Sequence, residues 1–486
     1  MYSGKNYFNY NYNYNSNYNY NQNNNKSSSF CDTIKKPINK VRQFVKNHPY
    51  IALSIIVGIF VFLIIIIAIA VSVKKKKKNK DDNDNNLISF SESEINAVLN
   101  IYKKIGSNDD STLEVFCNYV KESCSKLNEK QKVYFTYYWV AHKIKYDVVN
   151  YYAGTPSDCL PSSFFPTKTT VCSGYSRLFT HLLKCMDYTE DKIHNVIGYA
   201  KTDEDIDTLD DSNHEWNMVQ IDDKYCLIDS TWGAGNTNSK KQFVADYDEY
   251  YLCTPPIEFI RTHLPEENDS NMQLLNPTIT FSQFINMAQT SKSFFKLGFT
   301  SIDPDLNKQN ICGEGKITLK YETNERPILF TKLIKSGNEV ENSFMNKKIT
   351  NGYDVSFYIN NVGTYTLQIY SNKGEYTTLP LTVQFTITCQ TTQTSKKYYP
   401  IFYNTYEKSD MELISPLDGE LKSGNKYNFQ VKSSEESLVV YYNGQWTDMN
   451  KNGNTFTANN VLVQGSNEVC YILNNDGNVF VKYTIK

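Results

Sequence analysis

The sequence predicts an α+β domain, in which a helix carrying a cysteine packs on an antiparallel sheet, followed by two β-sandwiches and preceded by one apolar span. Three observations carry this reading. Apolar residues recur at helical spacing through 91–146 and again after Cys172. Two strand-length segments meet at a two-residue polar turn, Asp222-Asp223. From Gly315 onward the helical period disappears, and short alternating runs separated by turn residues take over.

The chain opens on a Tyr/Asn repeat, "NYNYNYNSNYNYNQNNN", with almost no aliphatic residues. Such a segment cannot bury a core, and residues 1–49 read as a low-complexity tail with some tendency to self-associate. Tyr50–Val73 contains no charged residue and is long enough to cross a bilayer as a helix. It is too long, and begins too far into the chain, for a cleaved leader. Lysines and arginines flank it on both sides, so the positive-inside rule does not orient it. The denser run Lys74–Lys78 leans toward a cytoplasmic C-terminal part. Past the span the one glycosylation sequon, Asn268-Asp269-Ser270, leans the same way. Residues 74–90 form a basic and polar linker. Asp82, Asp84 and Asn86 imitate the start of a calcium loop, but Leu87 stands where that loop needs Gly.

Three helices are expected over 91–146. The first, Glu94–Ile105, puts Ile95, Leu99 and Tyr102 on one face. The second opens at Ser111-Thr112-Leu113-Glu114, a capping-box pattern, and runs to about Leu127. The third, Glu129–Tyr146, carries large apolar side chains all round, which predicts burial on most sides. Trp139 reads as a core residue of that helix.

After Cys172, residues Tyr175, Leu178, Phe179, Leu182, Leu183 and Met186 define one apolar helix face. Cys172 therefore stands at the helix start, where unpaired N–H groups and the positive end of the dipole favour thiolate over thiol. His214–Ile221 and Lys224–Thr231 read as two strands joined at Asp222-Asp223, so that 221 faces 224. The same register sets Asp229 opposite Trp216, and places His214 and Asp229 on one face as diagonal neighbours. In that arrangement Asp229 orients the imidazole and His214 takes the proton of Cys172. Trp216 and Trp232 flank the pair and wall it from water. The acidic loop Lys201–Asp211 lacks the Gly and Glu of an EF-hand and reads as a solvated face or a substrate rim.

The runs "VCSGYSRLF" and "NHEWNMVQIDDKYCLIDSTWGAG" resemble the transglutaminase-like superfamily, and within it the kyphoscoliosis-peptidase-like branch. "YYWVAHKIKYDVVNYY" resembles the helix that precedes the cysteine in that branch, and "DEYYLCTPPIEFIRTHLPEENDSNMQLL" its extension after the core. The resemblance covers roughly 91–300. It implies a papain-like fold for residues 91–305 and a catalytic triad of Cys172, His214 and Asp229 acting on protein amide or peptide bonds. The backbone N–H of Cys172 is the expected oxyanion donor. Some relatives in cytokinetic and cytoskeletal roles have lost triad residues and act as interaction domains. A non-catalytic scaffold is therefore the alternative.

The strand pattern beyond the core divides into an immunoglobulin-like sandwich over 313–390 and a second sandwich over 408–486. Neither carries a catalytic constellation, and both suit protein partners or spacing. Cys312 and Cys389 bracket the first and would pair in an oxidising compartment; reduced thiols are the equal alternative. Eleven cysteines without C-x-x-C or zinc spacing give no expectation of a metal site, and no cofactor is implied. A net charge of −2 gives no argument for nucleic acid. The expected partners are a protein or peptide substrate and a membrane, with the chain anchored by a single pass.

Overall fold

A computed structural model describes residues 88–486, apart from 156, 203–208, 210, 375–378 and 466. The tail 1–49, the apolar span 50–73, nearly all of the linker 74–90 and most of the acidic loop 201–211 lie outside the described residues. Among the described residues no helix is long and apolar enough to cross a membrane.

Helix α1 spans Glu92–Tyr102. It begins at Ser91, whose hydroxyl and backbone N–H close a capping box with Glu94. Helix α2, Leu113–Ser123, is capped by Thr112 rather than Ser111. The Ser111 hydroxyl instead donates to the Asn108 carbonyl, so the expected box does not close. Helix α3, Glu129–Lys143, is capped reciprocally by Asn128 and Gln131. Eight of its residues, spread around the axis, are buried, among them Tyr137 and Trp139, as its all-round apolar surface demands. It stops three residues short of the expected end. Lys145 and Tyr146 leave the helix to pair in parallel with Thr169 and Thr170, which draws the segment before Cys172 against the end of α3.

Helix α4 spans Cys172–Cys185. Tyr175, Leu178, Phe179, Leu182 and Leu183 are fully buried, and they meet α3 and the sheet in one apolar cluster. The sheet has five antiparallel strands: β1 (Ile193–Ala200), β2 (His214–Ile221), β3 (Lys224–Ile228), β4 (Leu252–Thr254) and β5 (His263–Pro265). Their order is β4-β3-β2-β1-β5. Ile221 faces Lys224 and Asn217 faces Ile228, the register set by the Asp222-Asp223 turn. Val219, Ile221 and Ile228 point to the helical side. Trp216, Met218 and Leu227 point to the other side, where they pack on Phe259.

Strand β3 ends three residues before the sequence reading placed its end. Asp229 leaves the ladder, and its carboxylate accepts the N–H groups of Thr231 and Trp232. The short helix α5, Ser230–Ala234, begins there. An Asp at a helix start captures orphan N–H groups that a strand residue would not meet, and this local bond outcompetes further pairing.

Two sandwiches follow. In the first, strands 289–290, 308–310, 328–335, 338–339, 363–372 and 381–389 form one sheet, and 299–303, 313–321, 344–349 and 352–359 the other. Residues 289–303, grouped above with the core, thus belong to this sandwich: Gln289 pairs with Gln384 and Ile302 with Leu319. The second sandwich begins at Ile401 and repeats the first strand for strand, with the same order in both sheets. Even the short helix after the opening strand recurs, as Lys292–Lys296 and Asn404–Lys408. Disulfides join Cys117 to Cys185 and Cys312 to Cys389.

Candidate active site

The first turn of α4 puts Cys172 at its first helical position, after the extended residue Val171. A backbone N–H there has no acceptor within the helix. One turn on, the Ser176 hydroxyl donates to the Glu215 carboxylate at 2.9 Å. The side-chain amide of Asn217 donates to the Ser176 carbonyl at 3.2 Å, and that of Asn195 bonds both Ser176 and Glu215. This buried polar network locks α4 onto β1 and β2 one turn away from the thiol, so the position of Cys172 relative to β2 is fixed. Just before β2, the Asn213 side chain receives the Ala200 N–H and donates to the Ala200 carbonyl. It stands in for a strand partner and sets the angle at which the chain enters His214.

His214 and Asp229 meet although Asp229 lies just past the paired residues: Nε2 lies 2.9 Å from Asp229 Oδ2. Cys172 lies close enough to His214 and to the backbone N–H of Glu215 for both to favour its thiolate. The three residues predicted from the sequence are therefore brought together. Cys172 and His214 are 9% and 8% exposed, and Asp229 is fully buried.

The electrostatics follow from this burial. Burial raises the Cys172 thiol, but the His214 contact and the Glu215 N–H outweigh it, and the thiol falls below its ordinary value. Burial would lower His214; the Asp229 carboxylate reverses this and pushes it up to about 10. Asp229 resists the upward pull of burial through its two histidine contacts and lies below the usual carboxylate range. Together these favour thiolate and imidazolium over thiol and imidazole near neutral pH.

One residue of the site was not singled out by sequence reasoning. His263, on β5, places Nε2 at 3.1 Å from the same Asp229 Oδ2. In register, Gly198 faces both His214 and Pro265, and Ala200 faces His263. His263 therefore shares the face of His214, two strands away across small residues. Gly198 is required: a Cβ there would stand 2.2 Å from the Leu264 carbonyl oxygen and 2.6 Å from the Trp216 ring. The small pair Gly198 and Ala200 is the signal that a bulky group crosses β1 on this face, but it does not say which.

Trp216 and Trp232 bracket His214 at 6.1 and 5.8 Å between ring centres. Trp232 lies 4.5 Å from the His263 ring. Trp139 is remote from this wall, stacked on Phe116 at 4.2 Å in the helical core. Two groups of side chains have metal-ligand character among the described residues: His214, Asp229 and His263; and Cys117, His181 and Cys185. In the first the histidines are hydrogen-bonded to the carboxylate, and in the second the two sulfurs are joined to each other.

Residues 118–230 match the transglutaminase-like superfamily, and residues 281–400 match the KY-like, immunoglobulin-like domain. The kyphoscoliosis peptidase of Mus musculus is 28% identical over 285 residues, 57% of this chain and 40% of that protein. The kyphoscoliosis peptidase of Homo sapiens is 26% identical over 302 residues, 60% of this chain and 42% of that protein. Cytokinesis protein 3 of Schizosaccharomyces pombe is 29% identical over 105 residues, 21% of this chain and 12% of that protein. The chain spans about two fifths of the length of the two peptidases it matches.

Proposed function

Taking the chain as a member of the transglutaminase-like superfamily, in the branch of the kyphoscoliosis peptidases, we propose that it is a membrane-anchored thiol enzyme acting on protein amide or peptide bonds. The observation that carries this is the burial of His214 beside both Cys172 and the Asp229 carboxylate, with Nε2 2.9 Å from Asp229 Oδ2. The thiolate attacks the carbonyl carbon, and the oxygen takes up the negative charge beside the Cys172 N–H. Imidazolium His214 gives its proton to the leaving nitrogen as the C–N bond breaks, leaving a thioester. Water or an amine then attacks the thioester, His214 removes its proton, and the C–S bond breaks to restore the thiolate. Asp229 stays ionised throughout and supports the imidazolium.

The test is trapping of the thioester. The full chain, in mild detergent on account of residues 50–73, is incubated with glutaminyl peptides and an amine, quenched in acid and analysed by mass spectrometry. An acyl adduct on Cys172, absent in Cys172→Ala, supports the reading. Hydrolysed peptide or amine-coupled peptide then distinguishes hydrolysis from transfer. Failure of any acyl donor to label a Cys172 that alkylates freely counts against it.

One observation favours a non-catalytic scaffold: the thiol and imidazole are almost wholly covered, while two sandwiches stand next to the core. On that reading the Cys172→Ala chain retains its cellular phenotype; on the enzyme reading it loses it. Anchoring by residues 50–73 rests on their lack of charge and their length. Resistance of the chain to alkaline carbonate extraction from membranes checks it.

A further inference from the structure

We infer that His263 is a positioning residue of this site: a fixed N–H donor to Asp229 that sets how strongly Asp229 holds His214. The inference rests on the reading of Cys172, His214 and Asp229 as a reacting set, and concerns the basicity of that set.

The geometry assigns the two histidines different roles. Both place Nε2 on Asp229 Oδ2, at 2.9 Å for His214 and 3.1 Å for His263. His214 also contacts Cys172; His263 instead places Nδ1 at 2.8 Å from the Thr262 hydroxyl. The carboxylate can only accept, so Nε2 of His263 carries the proton pointed at it. Phe259 stacks on the His263 ring at 4.1 Å, and Trp232 and Trp216 close its other sides. The ring therefore cannot swing away, and its burial holds it down to about 4, neutral through the physiological range.

The carboxylate is satisfied on both oxygens. Oδ1 takes the N–H groups of Thr231 and Trp232, and Oδ2 takes the two imidazoles. The backbone donors alone suffice to orient it. A neutral donor on Oδ2 therefore acts chiefly by drawing charge from the oxygen that faces His214, which moderates the basicity of His214. The titratable groups around the set are Cys172 on α4, Cys159 before it, Glu215 beside His214, and the tyrosines Tyr137, Tyr146, Tyr175 and Tyr251. Burial raises Cys159 and all four tyrosines, so they stay neutral, and Glu215 is bonded to Ser176 and Asn195, which leaves the balance to Cys172, His214 and His263.

Two substitutions separate hydrogen bonding from packing. His263→Phe keeps an aromatic ring between Phe259 and Trp232 and removes the donor. His263→Gln keeps an N–H donor near the place of Nε2 and loses the ring. In each, the rate of Cys172 alkylation by iodoacetamide is followed by mass spectrometry in the full chain from pH 4 to 11, with folding checked by circular dichroism. In His263→Phe the imidazolium is held more tightly: the pH at which the thiolate–imidazolium pair is lost rises by about one unit, while the pH at which it forms does not fall, because imidazolium is present on both sides of that step and the Asp229 charge opposes the thiolate. His263→Gln stays near the parent profile. A parent-like profile in His263→Phe, or equal shifts in both variants, overturns the inference while leaving the triad standing. A parent Cys172 that reacts as a free thiol overturns the inference together with the proposed function.

Discussion

Replacing Asp229 by Asn tests whether a carboxylate holds the site together. The amide keeps the size of the side chain, and its oxygen can still take the N–H groups of Thr231 and Trp232 that begin α5. Its NH2 group then faces the Nε2 atoms of both His214 and His263, donor against donor. The imidazolium of His214 loses its counter-charge while remaining fully buried. With the carboxylate, His214 is pushed up to about 10; without it, burial is opposed by the Cys172 contact alone, and the ring falls back. Removing one partner of a buried ion pair costs ~3–5 kcal/mol. The thiol follows, because the His214 contact is what offsets its own burial. At pH 7 the pair should revert to thiol and imidazole. The assay is alkylation of Cys172 against pH in parent and Asp229→Asn, beside urea unfolding of both. The expected result is a rate at pH 7 lower by about 100-fold, following the thiolate fraction, with a stability loss of several kcal/mol. A variant that alkylates within about threefold of the parent at pH 7 would refute the argument, since the thiolate would then owe nothing to the histidine–carboxylate pair.

Three further outcomes follow from the same packing. His263 is held down to about 4 against an ordinary 6.5, so the unfolded chain takes up a proton there that the folded chain refuses. Stability should fall as pH drops from 6.5 to 4, by up to about 3 kcal/mol, and melting curves of His263→Phe should lack this part of the acid sensitivity. Gly198→Ala sets a methyl against the Leu264 carbonyl and the Trp216 ring, and should cost about 1–3 kcal/mol in urea unfolding by pushing β5 off the sheet. Between the sandwiches, Lys348 Nζ donates to the carbonyls of Tyr406, Ser409 and Met411 beside the buried Glu407. Lys348→Met strands those three carbonyl acceptors. It should destabilise the junction by about 1–3 kcal/mol and expose residues 390–410 to limited proteolysis.

What the sequence disclosed of the site was whatever one period or one turn could fix. The helix start at Cys172 follows from six apolar residues on one face, and the nearness of His214 and Asp229 from a two-residue turn whose register carries over five pairs, up to Asn217 and Ile228. His263 was not legible because β5 joins the sheet on the far side of β1, and no turn ties its register to that of β3. The opening strands of the first sandwich were hidden for the same reason: Gln289 finds its partner at Gln384, ninety-five residues on. The end of α3 was missed because Ile144–Tyr146 continues the apolar pattern of the helix. What stops it is a parallel pairing with Thr169 and Thr170, which propensity cannot anticipate.

The overrun of β3 bears on the chemistry. Read as a strand residue, Asp229 would offer His214 a carboxylate held only by its own side-chain torsions. As the first residue of a helical turn it has one oxygen pinned by two backbone N–H groups, so the other is presented at a fixed angle. The sequence Ile228-Asp229-Ser230-Thr231 thus makes one residue end a strand, start a helix and orient a base. The same bonds that satisfy the helix start offset the cost of burying the charge. Asp229 can in consequence stay ionised inside a wall of tryptophans, where its field is little screened. There a single neutral histidine on its second oxygen is enough to adjust how firmly His214 keeps its proton.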